Sequence, residues 1–302
     1  MKPPLLVLCA TDLSEDADRA VMAASDLARL YGSRLVFVHA VPYPAPAQVL
    51  FPHLIQGTMD RLMAVSRVAS ETVSARVQAL TGRTIEDIDV RVDVGAPDEV
   101  IVETAEESGA DLLVIGLAGS DSSGSGPGAT AVRIVRHAHC PVMVVRKGPA
   151  KGPVLAATDL SDPAQGALAL ADLYARQSGD SLVAMHVVDY SPVVVVPEAF
   201  GPGIPIPVSE DEHQAILKAA GAKLAEALEK SGVKADRLIE EGSPCERIVA
   251  VAEQIEARLV VVGTAGGGGL RRMLLGSVAE DVLRLAPCSV LLVRHHNSGG
   301  HE

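Results

Sequence analysis

The residues best suited to chemistry stand in one stretch, Gly263-Thr264-Ala265-Gly266-Gly267-Gly268-Gly269-Leu270-Arg271-Arg272-Met273-Leu274-Leu275-Gly276-Ser277-Val278. The apolar run from Leu259 to Val262 reads as a buried strand that stops at Gly263. A glycine-rich loop carrying Arg271 and Arg272 follows, and Gly276-Ser277 opens a helix. The first turn of a helix leaves backbone N–H groups free for an anion. Glycines let the backbone approach a ligand, and an arginine neutralises part of its charge. The chemistry this arrangement suits is phosphate binding. The rival is a plain strand-to-helix turn with solvated arginines. No Gly-Lys-Ser/Thr closes the loop, so it is not a Walker loop, and no Gly-x-Gly-x-x-Gly opens a helix after the first strand.

Composition narrows the partners. The chain has 302 residues, room for two ordinary domains, and is 48% hydrophobic, which argues against disorder. Only 2% of residues are aromatic and Trp is absent, so Ala, Val, Leu and Ile must build the core. That suits helices packed on a parallel sheet whose strands are buried on both faces. A net charge of −12 argues against nucleic acid and against an anionic membrane. Cys9, Cys140, Cys245 and Cys288 form no CxxC and no metal-ligand spacing, which fits a reducing cytoplasm. No signal peptide and no apolar run long enough to span a bilayer are read, so a soluble cytoplasmic protein is expected.

An internal repeat sets the architecture. Leu6-Val7-Leu8-Cys9-Ala10-Thr11-Asp12-Leu13-Ser14 returns as Pro153-Val154-Leu155-Ala156-Ala157-Thr158-Asp159-Leu160-Ser161. Gly32 to His39 returns as Gly179 to His186, Gly95-Ala96-Pro97 as Gly242-Ser243-Pro244, and Asp111 to Gly116 as Arg258 to Gly263. Every pair is 147 positions apart. Two copies of one unit are expected, residues 1–147 and 152–296, joined near Lys147-Gly148-Pro149-Ala150-Lys151-Gly152.

Each copy alternates strand and helix. The first reads as strands from Leu5 to Ala10, Leu35 to Val41, Ile88 to Val94, Asp111 to Ile115 and Pro141 to Arg146. Helices fall between them: one with Ala20, Val21, Ala24, Leu27 and Ala28 at helical spacing, one near Gly57 to Leu80, one starting at Pro97, and one ending about His137. Asp or Ser ahead of the first helix is an N-cap signal. The pattern implies α/β folding with two doubly wound, five-stranded parallel sheets. The Pro-rich loop after strand two of the second copy, residues 191–208, excludes regular helix or central strand. It is read either as a packed surface loop or as a partner or dimer contact. His39 and His186, at matching strand ends, are read as structural, and His137, His139 and Cys140 as packing.

These residues resemble the universal stress protein family in its tandem form, over nearly the whole chain, twice. The family's nucleotide motif is Gly-x2-Gly-x9-Gly-Ser/Thr, and the second copy meets it with Gly263, Gly266, Gly276 and Ser277. The likeness extends to Thr-Asp after strand one, the His of strand two, Gly-x-Pro before helix three, and the ending Ala-Pro-Cys-Ser-Val-Leu-Leu-Val-Arg. The first copy departs: Gly116 and Gly119 are present, but Gly128-Ala129 comes one residue early, and the loop carries Asp121 and no arginine. A weak or empty first site and a competent second one are expected.

The resemblance implies roles. Ala157, Thr158 and Val187 would line an adenine pocket, and Asp159 would accept hydrogen bonds from the nucleoside. Gly263 and Gly266 would run close to ribose and phosphates, with Gly276, Ser277 and Val278 binding phosphate and Arg271 and Arg272 adding charge. The alternative is that Asp159 and Ser277 are only helix caps. The ligand implied is ATP, with AMP or ADP as variants and magnesium an optional companion. The family also implies pairing of the halves through their last strands, Val142 to Arg146 against Val290 to Arg294, plus a homodimer and an unidentified protein partner. With no general base or metal-ligand carboxylate in the glycine loop, hydrolysis is expected to be slow or absent, a weak ATPase at most. Two rivals stand: an interaction scaffold without nucleotide, and an ATP-cleaving enzyme of the adenine-nucleotide α/β class, which would carry Ser-Gly-Gly-x-Asp-Ser where Thr158-Asp159-Leu160-Ser161 stands.

Overall fold

The computed structural model describes residues 3–42, 58–117, 126–161, 164–189, 193–195, 205–207, 209–264 and 275–294. The first half runs β1 (Leu6–Ala10), α1 (Glu15–Tyr31), β2 (Arg34–Val41), α2 (Thr58–Thr81), β3 (Asp89–Val94), α3 (Pro97–Ser108), β4 (Leu112–Gly116), α4 (Ala129–His137) and β5 (Val142–Val145). The second runs β6 (Val154–Ala157), α5 (Gln165–Ser178), β7 (Leu182–Val188), a small antiparallel pair β8 (Val193–Val195) and β9 (Pro205–Pro207), α6 (Glu210–Ser231), β10 (Asp236–Glu241), α7 (Pro244–Gln254), β11 (Leu259–Gly263), α8 (Ser277–Leu285) and β12 (Ser289–Val293). The described parts of the proline-rich stretch, β8 and β9, thus stand outside the main sheet, where the missing N–H groups of Pro205 and Pro207 interrupt no central ladder.

Local signals place the elements. Every residue of β1 is buried, because helices cover both faces of the sheet. Helix α1 starts at Ser14, whose Oγ accepts from the Ala17 N–H at 3.2 Å, and ends at Gly32 with φ 68°. Its buried stripe, Ala17, Ala20, Val21, Ala24, Leu27 and Ala28, is mostly alanine, which lets the helix lie close to the strands.

The strands form one ten-stranded sheet in the order β10-β7-β6-β11-β12-β5-β4-β1-β2-β3. Each half contributes five parallel strands, and the seam is the antiparallel pairing of β5 with β12, Met143 opposite Leu291. The expected pairing of the last strands is therefore found within the chain. Two apolar layers flank the sheet, one under α3, α4, α7 and α8 and one under α1, α2, α5 and α6. Both layers draw residues from both halves, so neither half closes its core alone.

Polar contacts reinforce the seam. Arg146 donates to the Leu283 carbonyl in the last turn of α8, and Arg294 donates to the Arg136 carbonyl in the last turn of α4. Each terminal-strand arginine thus meets the carbonyl end of the other half's last helix, where a cation is favoured.

Candidate functional site

In each half the strand order reverses beside the first strand, between β1 and β4 and between β6 and β11. Such a reversal leaves a crevice at the carboxyl ends of the strands. In the second half this crevice is a cavity of about 260 Å³. Ala157, Thr158, Asp159, Val187, Gly263, Gly276, Ser277 and Val278 all line it. Of the residues expected at the site, Gly266, Arg271 and Arg272 lie outside the described residues, so their placement is not given.

The floor is a strained turn. Thr158 Oγ1 accepts from the Leu160 N–H at 3.0 Å, and Asp159 Oδ1 accepts from the Ser161 N–H at 3.0 Å and from its hydroxyl at 2.6 Å. These bonds hold Leu160 at φ 62°, left-handed backbone that costs a non-glycine residue about 1–2 kcal/mol. The first half repeats the turn: Thr11 Oγ1 accepts from Leu13 N–H at 3.1 Å, Asp12 Oδ1 from Ser14 N–H at 3.0 Å, and Leu13 has φ 66°.

The histidines lock this turn to the second strand. His186 Nδ1 lies 2.8 Å from the Thr158 carbonyl, and His39 Nδ1 lies 2.8 Å from the Thr11 carbonyl. A carbonyl only accepts, so Nδ1 carries the proton in each ring. The structural reading of both histidines has its geometry here. They do not end their strands, however: β7 pairs with β10 through Val188 opposite Glu241, which places both His186 and Val187 inside the strand.

The roof is the start of α8. Gly276 is its N-cap, its N–H donating to the Thr264 carbonyl at 2.8 Å, and no side chain caps the helix. A Cβ on Gly276 would sit 3.3 Å from that carbonyl. Ser277 is the first helical residue and is exposed. Capping therefore explains neither residue in question: Ser277 is not the cap, and Asp159 serves its own turn while Ala164 precedes α5. In the first turn of α8 stands Glu280, whose charge would oppose a phosphate. Arg136 of the first half pairs with it at 2.8 Å.

Several cavity residues escaped sequence reasoning. Pro244 and Ile248 of α7 and Thr264 line it. The Gly-x-Pro motif marked where α7 begins but carried no sign that the helix forms a wall.

The first half keeps the helix start that aligning from Cys140 gives it. Gly128 caps α4 with φ −63° and ψ 154°, against −63° and 148° for Gly276, so the helix opens alike in both halves. The missing residue shortens the loop and leaves the helix start in place. The cavity below it, about 470 Å³, is lined by Thr11, Asp12, His39, Gly116, Gly128, Ala129 and Thr130 among others. Gly116 has a packing reason of its own, since a Cβ there would lie 2.8 Å from the Asp16 backbone carbon.

Among the described residues no group of three or more His, Cys, Asp or Glu could hold a metal ion, and no helix is long and apolar enough to cross a membrane. The four cysteines are buried and unbridged, and burial raises the Cys288 thiol to about 11.

Comparison with known proteins places this geometry. The model of the universal stress protein family matches residues 6–146 and again 152–294. A universal stress protein of Methanocaldococcus jannaschii is 39% identical over 137 residues, 45% of this chain and 78% of that one. One from Mycobacterium tuberculosis is 34% identical over 191 residues, 61% of each chain, so that alignment spans less than two thirds of the relative. One from Mycolicibacterium smegmatis is 27% identical over 298 residues, 95% of this chain and 96% of that one. The crystal structure of a universal stress protein from Archaeoglobus fulgidus superposes with a TM-score of 0.66 at 20% identity, covering 96% of this chain and 98% of that one. That similarity establishes a shared fold.

Proposed function

The chain belongs to the universal stress protein family, and from that premise we propose that it is a regulatory protein binding an adenine nucleotide, ATP first, in its second half. The observation that carries this reading is the convergence on one cavity of residues more than a hundred positions apart, Thr158 and Asp159 with Gly276, Ser277 and Val278. The residues fit the ligand. Asp159, at the edge of the crevice, offers an acceptor to a ribose hydroxyl. The uncapped first turn of α8 offers backbone N–H groups to phosphate, and Ser277 adds a hydroxyl. Arg136 offsets part of the charge of Glu280, the acidic residue in that turn.

Hydrolysis is slow or absent in this reading, because phosphoryl transfer needs a positioned base or metal, and magnesium would be held by the nucleotide's own phosphates. The first half, whose loop carries Asp121 and no arginine, binds phosphate poorly. A homodimer belongs to the proposal too, and it must use a surface other than the β5–β12 seam, which the chain has already filled with itself.

Isothermal titration of ATP and AMP into wild type and Gly276→Val, with phosphate release followed in parallel, tests the proposal. Binding that weakens at least tenfold in Gly276→Val, without turnover, supports it. Fast phosphate release would make the protein an enzyme, and no heat from wild type would make it a scaffold. Mass spectrometry of the denatured protein then reads which nucleotide it carries, and light scattering reads the assembly.

A further inference from the structure

A third cavity, about 740 Å³, opens where the two halves meet, and it shares no lining residue with either crevice. Met143 and Leu291 of the seam line it, with Tyr31 from the end of α1 and Leu170 and Tyr174 from α5. Its volume falls in the range of small-molecule sites, and its wall is mostly apolar.

The repeat shows why it is open. Position 166 in α5 corresponds to position 19 in α1, and the buried stripes of the two helices coincide residue for residue at that spacing, Ala20 with Ala167, Ala24 with Ala171, Leu27 with Tyr174. The first half has Arg19 there, held by Glu15 and Asp16, with its Nε buried. The second half has Gly166, and a Cβ added to it meets no atom within 4 Å. One pseudosymmetric position is therefore filled, and its twin is vacant.

The polar groups at the rim are one-sided. Arg294 lines the cavity, donates to the Arg136 carbonyl and pairs with no carboxylate among the described residues. Burial pulls its pKa below the ordinary guanidinium value, the mark of a cation short of compensation. His139 also lines the cavity, and its Nδ1 is buried without a hydrogen-bond partner. The one carboxylate in the wall, Asp111, is already engaged by the Leu5 and Leu6 N–H groups at 2.8 and 2.9 Å.

We propose that this cavity is a separate ligand site for a small carboxylic acid with a hydrocarbon body, the acid group meeting Arg294 and His139 and the body lying against the tyrosines and the seam. A guanidinium offers a carboxylate two parallel donors, which no neutral head group matches as well. Both halves contribute to its wall.

Titration calorimetry with decanoate and, separately, decanol tests it on the full chain, with circular dichroism melts as the folding control. Wild type is expected to bind decanoate at least tenfold more tightly than decanol, and saturating ATP should not displace it. Gly166→Arg, which restores the residue of the twin helix, should weaken decanoate at least tenfold. Arg294→Gln should abolish the preference for the acid while retaining decanol, and it decides the matter if Gly166→Arg fails to fold. Wild type binding neither ligand, a folded Gly166→Arg binding decanoate as wild type does, an unchanged preference in Arg294→Gln, or displacement by ATP would each overturn the proposal.

Discussion

Met143 and Leu291 stand opposite each other at the centre of the antiparallel seam, 3% and 2% exposed. They come from equivalent last strands of the two repeats, so the pair marks where one half packs on the other. A seam this dry makes the halves one cooperative unit, and Leu291→Ala should destabilise the whole chain by about 2–5 kcal/mol. Arg136→Ala, removing a half-exposed ion pair to Glu280 at the edge of the same interface, should cost less than about 1 kcal/mol. Urea melts followed by circular dichroism compare the two. A biphasic melt of wild type would contradict the shared core.

Gly116 is read as a packing glycine. Its Cβ position faces backbone atoms of Asp16 and Ala17, 2.8 to 3.0 Å away, and backbone cannot move aside as a flexible side chain can. Gly116→Ala should cost about 1–3 kcal/mol. The loss should appear in melts with and without nucleotide, and a variant as stable as wild type would refute the reading.

Glu256 sits at φ 50° just beyond α7, exposed, where the first repeat has Gly109 at φ 64°. Left-handed backbone disfavours any residue with a Cβ, and relief of that strain outweighs the chain entropy glycine adds. Glu256→Gly is therefore expected to stabilise by about 0.5–1 kcal/mol, read as a higher urea midpoint at unchanged slope. A lower midpoint would count against the strain.

His213 Nε2 lies 2.5 Å from Glu241 Oε2, tying α6 to β10. The hydrogen bond to Glu241 raises the imidazole pKa above its ordinary 6.5. A raised folded value means that the imidazolium form is the one the fold favours. Its contribution is complete below the unfolded pKa and disappears as pH climbs through the folded one. Stability should fall slightly above pH 6.5 in wild type and less so in His213→Gln, and an NMR titration placing this ring at or below 6.5 would end the argument.

Much of the site was legible because its parts follow local rules. Thr158 and Asp159 end an apolar run, Gly276 precedes an amphipathic stretch, and the alternation of elements brings both to the carboxyl edge of a parallel sheet. Aligning from Cys140 puts Gly128-Ala129 at the closing pair, and Gly128 does cap α4 as Gly276 caps α8; the missing residue falls in the loop, which absorbs it more readily than a helix start moves. What stayed illegible was the wall formed by α7, whose Pro244 and Ile248 reach the cavity only through packing.

The sequence alone determined the doubling, the α/β alternation and the strand edge that carries the candidate site, since each depends on periodicity or on residues near in the chain. The pairing of the last strands was implied by the family resemblance and not by the residues themselves, and the tertiary structure shows how it joins the two sheets into one. The tertiary structure alone brought Arg136 against Glu280 across the seam, and it set the glycine at position 166 in the wall of a cavity. Those outcomes rest on which side chains meet after folding, and residues 144 positions apart, such as Arg136 and Glu280, carry no mutual signal until the strands between them have paired.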